Sequence, residues 1–386
     1  MRRVLVLGGY GAFGGRVTER LAHEADVEVI VAGRSLQRAA QFAGRVQKGA
    51  RAKITPARLD ATQIAATELA TLRPLLVINA SGPYQRQDYR AAQACIAARV
   101  HYADLADARG FVTGICTLDA EARQASVLVV SGASTVPAVS AAVIDEHAPQ
   151  FAALWAVTIV IAPGNSFDPG LATTQSILST LGRPFAPTRK QGTLAAARGS
   201  NSLALEHGAT EGTMYGWQHL RRRTIPGLGG RWLGACDTPD LDLLPRRYPG
   251  LRSVQVFAAL EVGTFHLGLW GLSWLVRGGL VRNPERLAAP LLRAKHALRF
   301  LGSDVGGMAV ELAGIGPDGA PKHVDWQLIA RRGHGPYIPA TASVILAKRL
   351  LAGTLAERGA MPCLGLFTLA EFLAEVTDLD ISAGIA

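Results

Sequence analysis

The segment most able to do chemistry is Gly8-Gly9-Tyr10-Gly11-Ala12-Phe13-Gly14, in which Gly9-x-Gly11-x-x-Gly14 has the spacing of a phosphate cradle. One glycine permits a tight turn, one lets the backbone approach a pyrophosphate, and one lets a helix pack closely on a strand. A helix starting near residue 13 then points its positive end at the phosphates. The second segment is Ala32-Gly33-Arg34-Ser35, at the end of the next apolar run. A site for an unphosphorylated ribose usually carries Asp or Glu there. Here glycine holds that place, and a guanidinium and a hydroxyl follow. A carboxylate would repel a 2′-phosphate, whereas an arginine fork binds it bidentately and a serine can donate to it. The expected cofactor is therefore NADP, held by Gly8, Gly9, Tyr10, Gly11, Ala12, Phe13, Gly14, Arg34 and Ser35, with Asp60 lining the adenine pocket.

Three further segments are placed to surround a nicotinamide: Asn79-Ala80-Ser81-Gly82-Pro83-Tyr84, His101-Tyr102-Ala103-Asp104, and Gly132-Ala133-Ser134-Thr135-Val136-Pro137. Ala80, Ser81, Gly82 and Pro83 are expected against the cofactor. Hydride transfer usually needs a proton donor as well as position. The candidates are Tyr84 through its phenol, and His101 with Asp104 as a relay. Their spacing puts His101 and Asp104 on opposite faces of a regular strand, so a shared pocket requires a bend. The plainer alternatives are that Tyr84 stacks on the nicotinamide ring and that His101 is a packed strand residue. Ser134 and Thr135 could bind the nicotinamide amide or the substrate. No metal-ligand cluster stands out among the nine histidines, so no metal is expected.

These residues need a scaffold that brings loop ends together. Residues 4–7 form a short continuous apolar run, as in a strand buried on both faces. Strands are expected at 27–32, 52–59, 75–80, 100–105 and 127–130, with helices at 13–22, 37–45 and 88–98 between them. Strand–helix alternation with short turns predicts an α/β fold: an N-terminal doubly wound parallel Rossmann sheet, with ligands at the carboxyl ends of its strands. Taken together, the glycine loop, Ala32-Gly33-Arg34, Asn79 to Tyr84, His101 to Leu105 and Gly132 to Pro137 resemble the NADP-binding domain of saccharopine dehydrogenase-like proteins. The resemblance covers roughly the first 145 residues. It implies a second domain inserted after the sixth strand and a C-terminal segment returning to the first. The amino-acid-forming members carry an acid in the loop after the sixth strand, and the loop at 132–137 has none, which argues against an opine-like amino acid as substrate.

The second domain is expected to be α+β, with a mainly antiparallel sheet. Strands at 157–162 and 253–260, a hairpin over 308–315 and 323–330 around Pro317-Asp318-Gly319, and a helix at 171–181 support this. Thr173, Thr174 and Gln175 near that helix's start could meet an anion, although a capped turn is the plainer reading. The stretch 182–250 is rich in glycine, proline and arginine, and reads as loops, with a lid or a solvated basic surface as alternatives. Residues 262–276 are apolar and too short for a membrane span, so a buried or interfacial helix is expected. Helices at 338–351 and 369–376 are expected to dock on the nucleotide domain. The boundaries read 1–148, 149–337 and 338–386.

Composition excludes other classes. Net charge is +10, but the arginines are dispersed, and the run Arg221-Arg222-Arg223 lacks interleaved aromatics, so nucleic acid is not an expected partner. The four cysteines form no C-x-x-C pair, which argues against zinc and against a disulfide framework. The reading is a cytoplasmic, homodimeric, NADP-dependent oxidoreductase that reduces a C=N, C=O or activated C=C bond of a small molecule. The alternatives are a non-catalytic NADP-binding scaffold and a protein in peripheral contact with a membrane.

Overall fold

Val4, Leu5, Val6 and Leu7 are shielded from solvent in strand β1 (Arg2–Leu7). Each such side chain contributes about 1.5–3 kcal/mol on burial, so this run belongs at the centre of a sheet covered on both faces. That is its place in the computed structural model, which describes residues 1–189 and 213–386. The chain divides into two compact units, Met1–Val139 with Pro336–Glu375 and Ser140–Gly335 with Val376–Ala386.

The first unit alternates β1, α1 (Gly14–Leu21), β2 (Val27–Gly33), α2 (Leu36–Gln47), β3 (Lys53–Arg58), α3 (Ala66–Leu72), β4 (Leu76–Asn79), α4 (Arg90–Ala97), β5 (His101–Asp104), α5 (Arg109–Gly114), α6 (Asp119–Gln124) and β6 (Leu128–Ser131). Strand order runs β6-β5-β4-β1-β2-β3, with every pair parallel. This is the doubly wound sheet that the apolar runs predict. The register pairs Leu7 with Ala32, Leu7 with Asn79, and Asn79 with Asp104, so these residues share one row. The loops leaving that row carry the candidate site. His101 begins β5 and so lies at the opposite edge.

The second unit contains α7 (Ser140–His147), β7 (Ala153–Ala162), α8 (Gly170–Thr180), the two-residue strands β8 (Pro184–Phe185), β9 (Thr188–Arg189) and β10 (Met214–Tyr215), then β11 (Arg221–Ile225), β12 (Gly229–Ala235), α9 (Asp240–Arg247), β13 (Ser253–Ala258), α10 (Gly263–Arg277), α11 (Ala288–Ala297), β14 (Gly306–Ile315) and β15 (Pro321–Ala330). Its main sheet is antiparallel except where β13 runs parallel to β7. The expected hairpin turn is present: Asp318 Oδ1 accepts from the Ala320 amide at 3.1 Å, and Gly319 takes φ +77°. Thr174, within the first turns of α8, donates its hydroxyl back to the Gly170 carbonyl at 2.9 Å. Of the loop-rich stretch 182–250, residues 190–212 lie outside the described residues. The basic run does not form a loop. It is β11, where Arg223 pairs with Glu311 and Arg221 lies over the Phe257 ring at 5.8 Å.

The tail corrects the expected third segment. Helices α12 (Tyr337–Ala352) and α13 (Leu369–Glu375) belong to the first unit, and between them β16 (Gly359–Pro362) extends the parallel sheet beside β6. Thr368 and Glu371 form a capping box at the start of α13, with the Glu371 amide donating to Thr368 Oγ1 at 3.1 Å and the Thr368 amide to Glu371 at 2.7 Å. The last strand, β17 (Ile381–Ile385), does not return to the nucleotide domain; it pairs antiparallel with β15 of the second unit. Pairing there satisfies backbone donors and acceptors that an edge strand would leave open. Among the described residues no helix is long and apolar enough to cross a membrane.

Candidate functional site

The β1–α1 loop is held from both sides. Gly8 adopts φ +71°, a conformation that side-chain-bearing residues rarely take, and the Gly9 amide donates to Ala32 O of β2 at 3.0 Å. A Cβ on Gly14 would lie 2.2 Å from Gly8 O, so only glycine lets α1 start this close to the turn. The buried Thr18 hydroxyl bonds Gly9 O at 3.1 Å and Gly14 O at 3.0 Å, locking helix to loop. Gly11 faces outward. A Cβ there would meet only Gly8 O, at 3.1 Å, and the Ala12 amide has no acceptor among the described residues. A tight turn, an open glycine and a helix N-terminus form a cradle that fits a pyrophosphate.

The end of β2 explains its missing acid. A Cβ on Gly33 would fall 2.5 Å from a Tyr10 ring carbon, because that ring lies against the glycine. The Tyr10 hydroxyl accepts from the Ser35 amide at 3.1 Å, and the Arg38 guanidinium stands over the ring at 5.2 Å. Ser35 acts as N-cap of α2, its Oγ accepting from the Arg38 amide at 3.3 Å. Its hydroxyl hydrogen is still available to a ligand. Arg34 is exposed and has no hydrogen-bond partner among the described residues. Asp60 Oδ1 takes the Thr62 amide at 3.0 Å and the Thr62 hydroxyl at 2.8 Å. These bonds, with the Arg34 charge adding, hold the Asp60 carboxyl below its usual range. Arg38 and Arg58, both exposed, complete a basic edge that sequence reading missed. Arg38 lies in the first turn of α2, four residues after Arg34, and Arg58 pairs with Gly33 across β2 and β3. The nearness of Arg34 and Arg38 was visible in the sequence, but the cross-strand register was not.

The β4 loop folds against the cradle. The Ala80 amide donates to Leu7 O at 2.9 Å, and the Ser81 amide to Asn79 Oδ1 at 3.0 Å. The Gly82–Pro83 peptide is cis. Gln87 Nε2, another residue missed from sequence, donates to Ser81 O at 2.6 Å and Pro83 O at 3.0 Å, pinning both carbonyls.

The expected proton donors do not assemble. The Tyr84 phenol donates to Asn79 O at 2.6 Å and the residue is 5% exposed. Burial, with the nearby Asp104 charge, pushes its pKa well up. It braces the loop and is not aimed at a ligand. His101 is corrected as well. It lies at the amino edge of β5, where Nδ1 accepts from the Leu128 amide at 2.9 Å, and burial with the Arg358 charge lowers its pKa to about 4. A rise of three residues along the strand puts it about 10 Å from Asp104, so no relay forms.

Asp104 is at the correct edge but is fully buried. Its Oδ1 accepts from Ala106 N at 3.0 Å, Ser131 Oγ at 2.9 Å and Gly132 N at 2.9 Å, while its carbonyl accepts from Ala133 N at 2.7 Å. Burial raises its pKa to about 6 against the pull of those donors. Asp104 therefore acts as a positioning residue that ties the β5 loop to the β6 loop. Ser134 and Thr135 follow in that loop and are themselves buried. Among the described residues no group of three or more His, Cys, Asp or Glu is arranged to hold a metal ion.

Comparison with known proteins agrees with this geometry. Residues 4–130 match the family described as saccharopine dehydrogenase NADP binding domain. No curated protein sequence matches the chain. Among solved structures, apo saccharopine dehydrogenase (L-Glu forming) from Saccharomyces cerevisiae superposes with a TM-score of 0.64 at 13% identity, covering 100% of both chains. Amine dehydrogenase from Mycobacterium smegmatis gives 0.48 at 14% identity over 94% of each chain. At such identities the likeness concerns the fold, and the cofactor assignment rests on the matched domain. Residues 4–130 thus match a saccharopine dehydrogenase NADP binding domain, and NADP is the cofactor which that match gives.

Proposed function

We propose that the protein is an NADPH-dependent oxidoreductase that reduces a C=N, C=O or activated C=C bond of a small molecule. The observation that carries this reading is the cradle's edge: an open glycine loop beside a β2 terminus with no carboxylate, bearing Arg34 and Arg38. When bound, the nucleotide supplies the hydride. The chain's own residues position it. Gly11 leaves room for the pyrophosphate, and Arg34 and Arg38 meet the 2′-phosphate. Asn79 and Gln87 stiffen the loop from Ala80 to Pro83, and Asp104 sets the backbone at 131–133. Tyr84 donates to the Asn79 carbonyl and His101 accepts from the Leu128 amide, which supports trying an iminium first, since hydride addition to its carbon needs no protein acid in the same step.

The test is calorimetric titration with NADPH and NADH, for wild type and Arg34→Ala. The variant should lose about 1.5–3 kcal/mol for NADPH, the scale of a charged hydrogen bond, and almost nothing for NADH. Equal losses for both would refute the phosphate assignment. A screen of imines, ketones and enoyl compounds for NADPH oxidation then separates an enzyme from a scaffold, because a scaffold binds NADPH and turns over none of them.

A further inference from the structure

Helix α10 has two unlike sides. His266, Ser273 and Val276 are buried, and Leu269 and Leu272 pack on the cluster of Leu178, Leu181 and Trp217. The opposite stripe follows helical spacing through Leu267, Gly268, Gly271, Trp274 and Leu275. Leu267, Trp274 and Leu275 are 37%, 45% and 44% exposed, and Leu280, just beyond the helix, is 78% exposed. Among the described residues, a Cβ built on Gly268 or Gly271 meets nothing within 4 Å.

The charged residues at the C-terminal end of the stripe are mostly basic. Arg277, in the last turn, is the helix's only Lys, Arg, Asp or Glu; its guanidinium donates to Gln218 Oε1 at 2.8 Å and lies 3.8 Å from the Tyr215 and 5.0 Å from the Trp274 ring centroid. Arg183 donates to Arg282 O at 2.9 Å, which brings both residues to the same end. From residue 277 to 299 the chain carries Arg277, Arg282, Arg286, Arg293 and Arg299 against a single acid, Glu285; Lys295, in the same segment, is turned inward and donates to Asn165 O at 2.6 Å.

We propose that this face docks the protein on an anionic lipid surface. Trp274, Leu275 and Leu280 enter the boundary between headgroups and acyl chains, and Arg183 and Arg282 meet lipid phosphates. An aromatic–aliphatic stripe bordered by arginines is the pattern of a helix lying in that plane. Its fifteen residues are too few to cross the bilayer, so the helix lies along the surface. A second copy of the chain is a poorer occupant. It would offer the same acid-poor surface and no counter-charge for the arginines.

The test is flotation of the full chain with phosphatidylcholine vesicles, with and without phosphatidylglycerol. Binding is expected only with phosphatidylglycerol, weakening as salt rises, with a blue shift of tryptophan emission. Arg282→Glu should lower partitioning by about fivefold or more, since one basic residue near such a surface is worth about that factor. Trp274→Asp should abolish binding while leaving NADPH affinity and cooperative melting intact. If that variant does not fold, Leu280→Asp, at a more exposed site, replaces it. Absence of binding by wild type, or unchanged binding by the folded apolar-to-Asp variant, would overturn the proposal. So would a lipid-free dimer in sedimentation that dissociates in Trp274→Asp, because the face would then belong to a second copy.

Discussion

Cofactor preference in a dinucleotide fold is commonly altered by placing an acid at the end of the second strand, and here that change should meet an obstacle. The Gly33 Cβ position lies 2.5 Å from a Tyr10 ring carbon and 2.6 Å from its hydroxyl oxygen. Gly33→Asp must therefore swing the ring away. The ring would leave the Ser35 amide it accepts from and the Arg38 guanidinium above it. A neutral hydrogen bond is worth about 0.5–1.5 kcal/mol and an exposed cation–π contact about 0.5–1 kcal/mol. The summed cost is about 1–2.5 kcal/mol in stability. The ring is the far end of a mobile side chain, so the fold should survive. In Tyr10→Ala the obstacle is gone, and adding Gly33→Asp should then cost almost nothing in stability. The assay is a double-mutant cycle by urea unfolding, paired with NADPH and NADH titrations. The cycle should show a coupling of about 1–2 kcal/mol between the two positions, and only the double variant should gain NADH affinity. Additive stability effects, or an NADH gain in Gly33→Asp alone, would refute the claim that Tyr10 occupies the acid's place.

Two further outcomes follow from the residues that hold the loops. Asp104 titrates near pH 6 in the fold, above its unfolded value, so the folded state binds the extra proton between roughly pH 4 and pH 6. Its contribution to stability is greatest below that window and falls by about 3 kcal/mol as pH rises through it. Asp104→Asn keeps an oxygen for the three donors and removes the charge, so its urea-derived stability should lack this decline; matching pH profiles for the two proteins would contradict the burial argument. Tyr84→Phe removes one buried hydrogen bond and should cost about 1 kcal/mol. His101→Leu leaves the Leu128 amide without an acceptor and should cost about 1–3 kcal/mol. Neither should slow turnover on whatever substrate a screen finds, and a loss of about a hundredfold in kcat would restore that residue as a general acid.

The parts of this fold that could be read from the sequence are those in which neighbours in the chain are neighbours in space. The run from Val4 to Leu7 entering Gly8 to Gly14, the helix behind it and the strand ending at Gly33 lie within about thirty residues, the span of one strand–helix–strand unit. Arg34 followed from the same local logic. The meaning of Gly33 did not, because its cause is the Tyr10 ring, which reaches back across the loop from a residue that spacing alone marked only as part of the cradle. Asp104 reads as an acid on a strand until Ser131 and Gly132, 27 and 28 residues away, are brought to its oxygen. Its chemistry then turns from proton transfer to holding a loop. The error over His101 could have been avoided by a stricter use of the fold argument. Once β5 is taken as parallel and ligands lie at carboxyl ends, the first residue of the strand is excluded by direction alone. β17 is the reverse case. Nothing within Ile381 to Ile385 says which sheet it joins, and the open edge of β15, more than fifty residues earlier, decides it. Local pattern therefore carries the cofactor, and long-range register determines which polar residues remain available for chemistry.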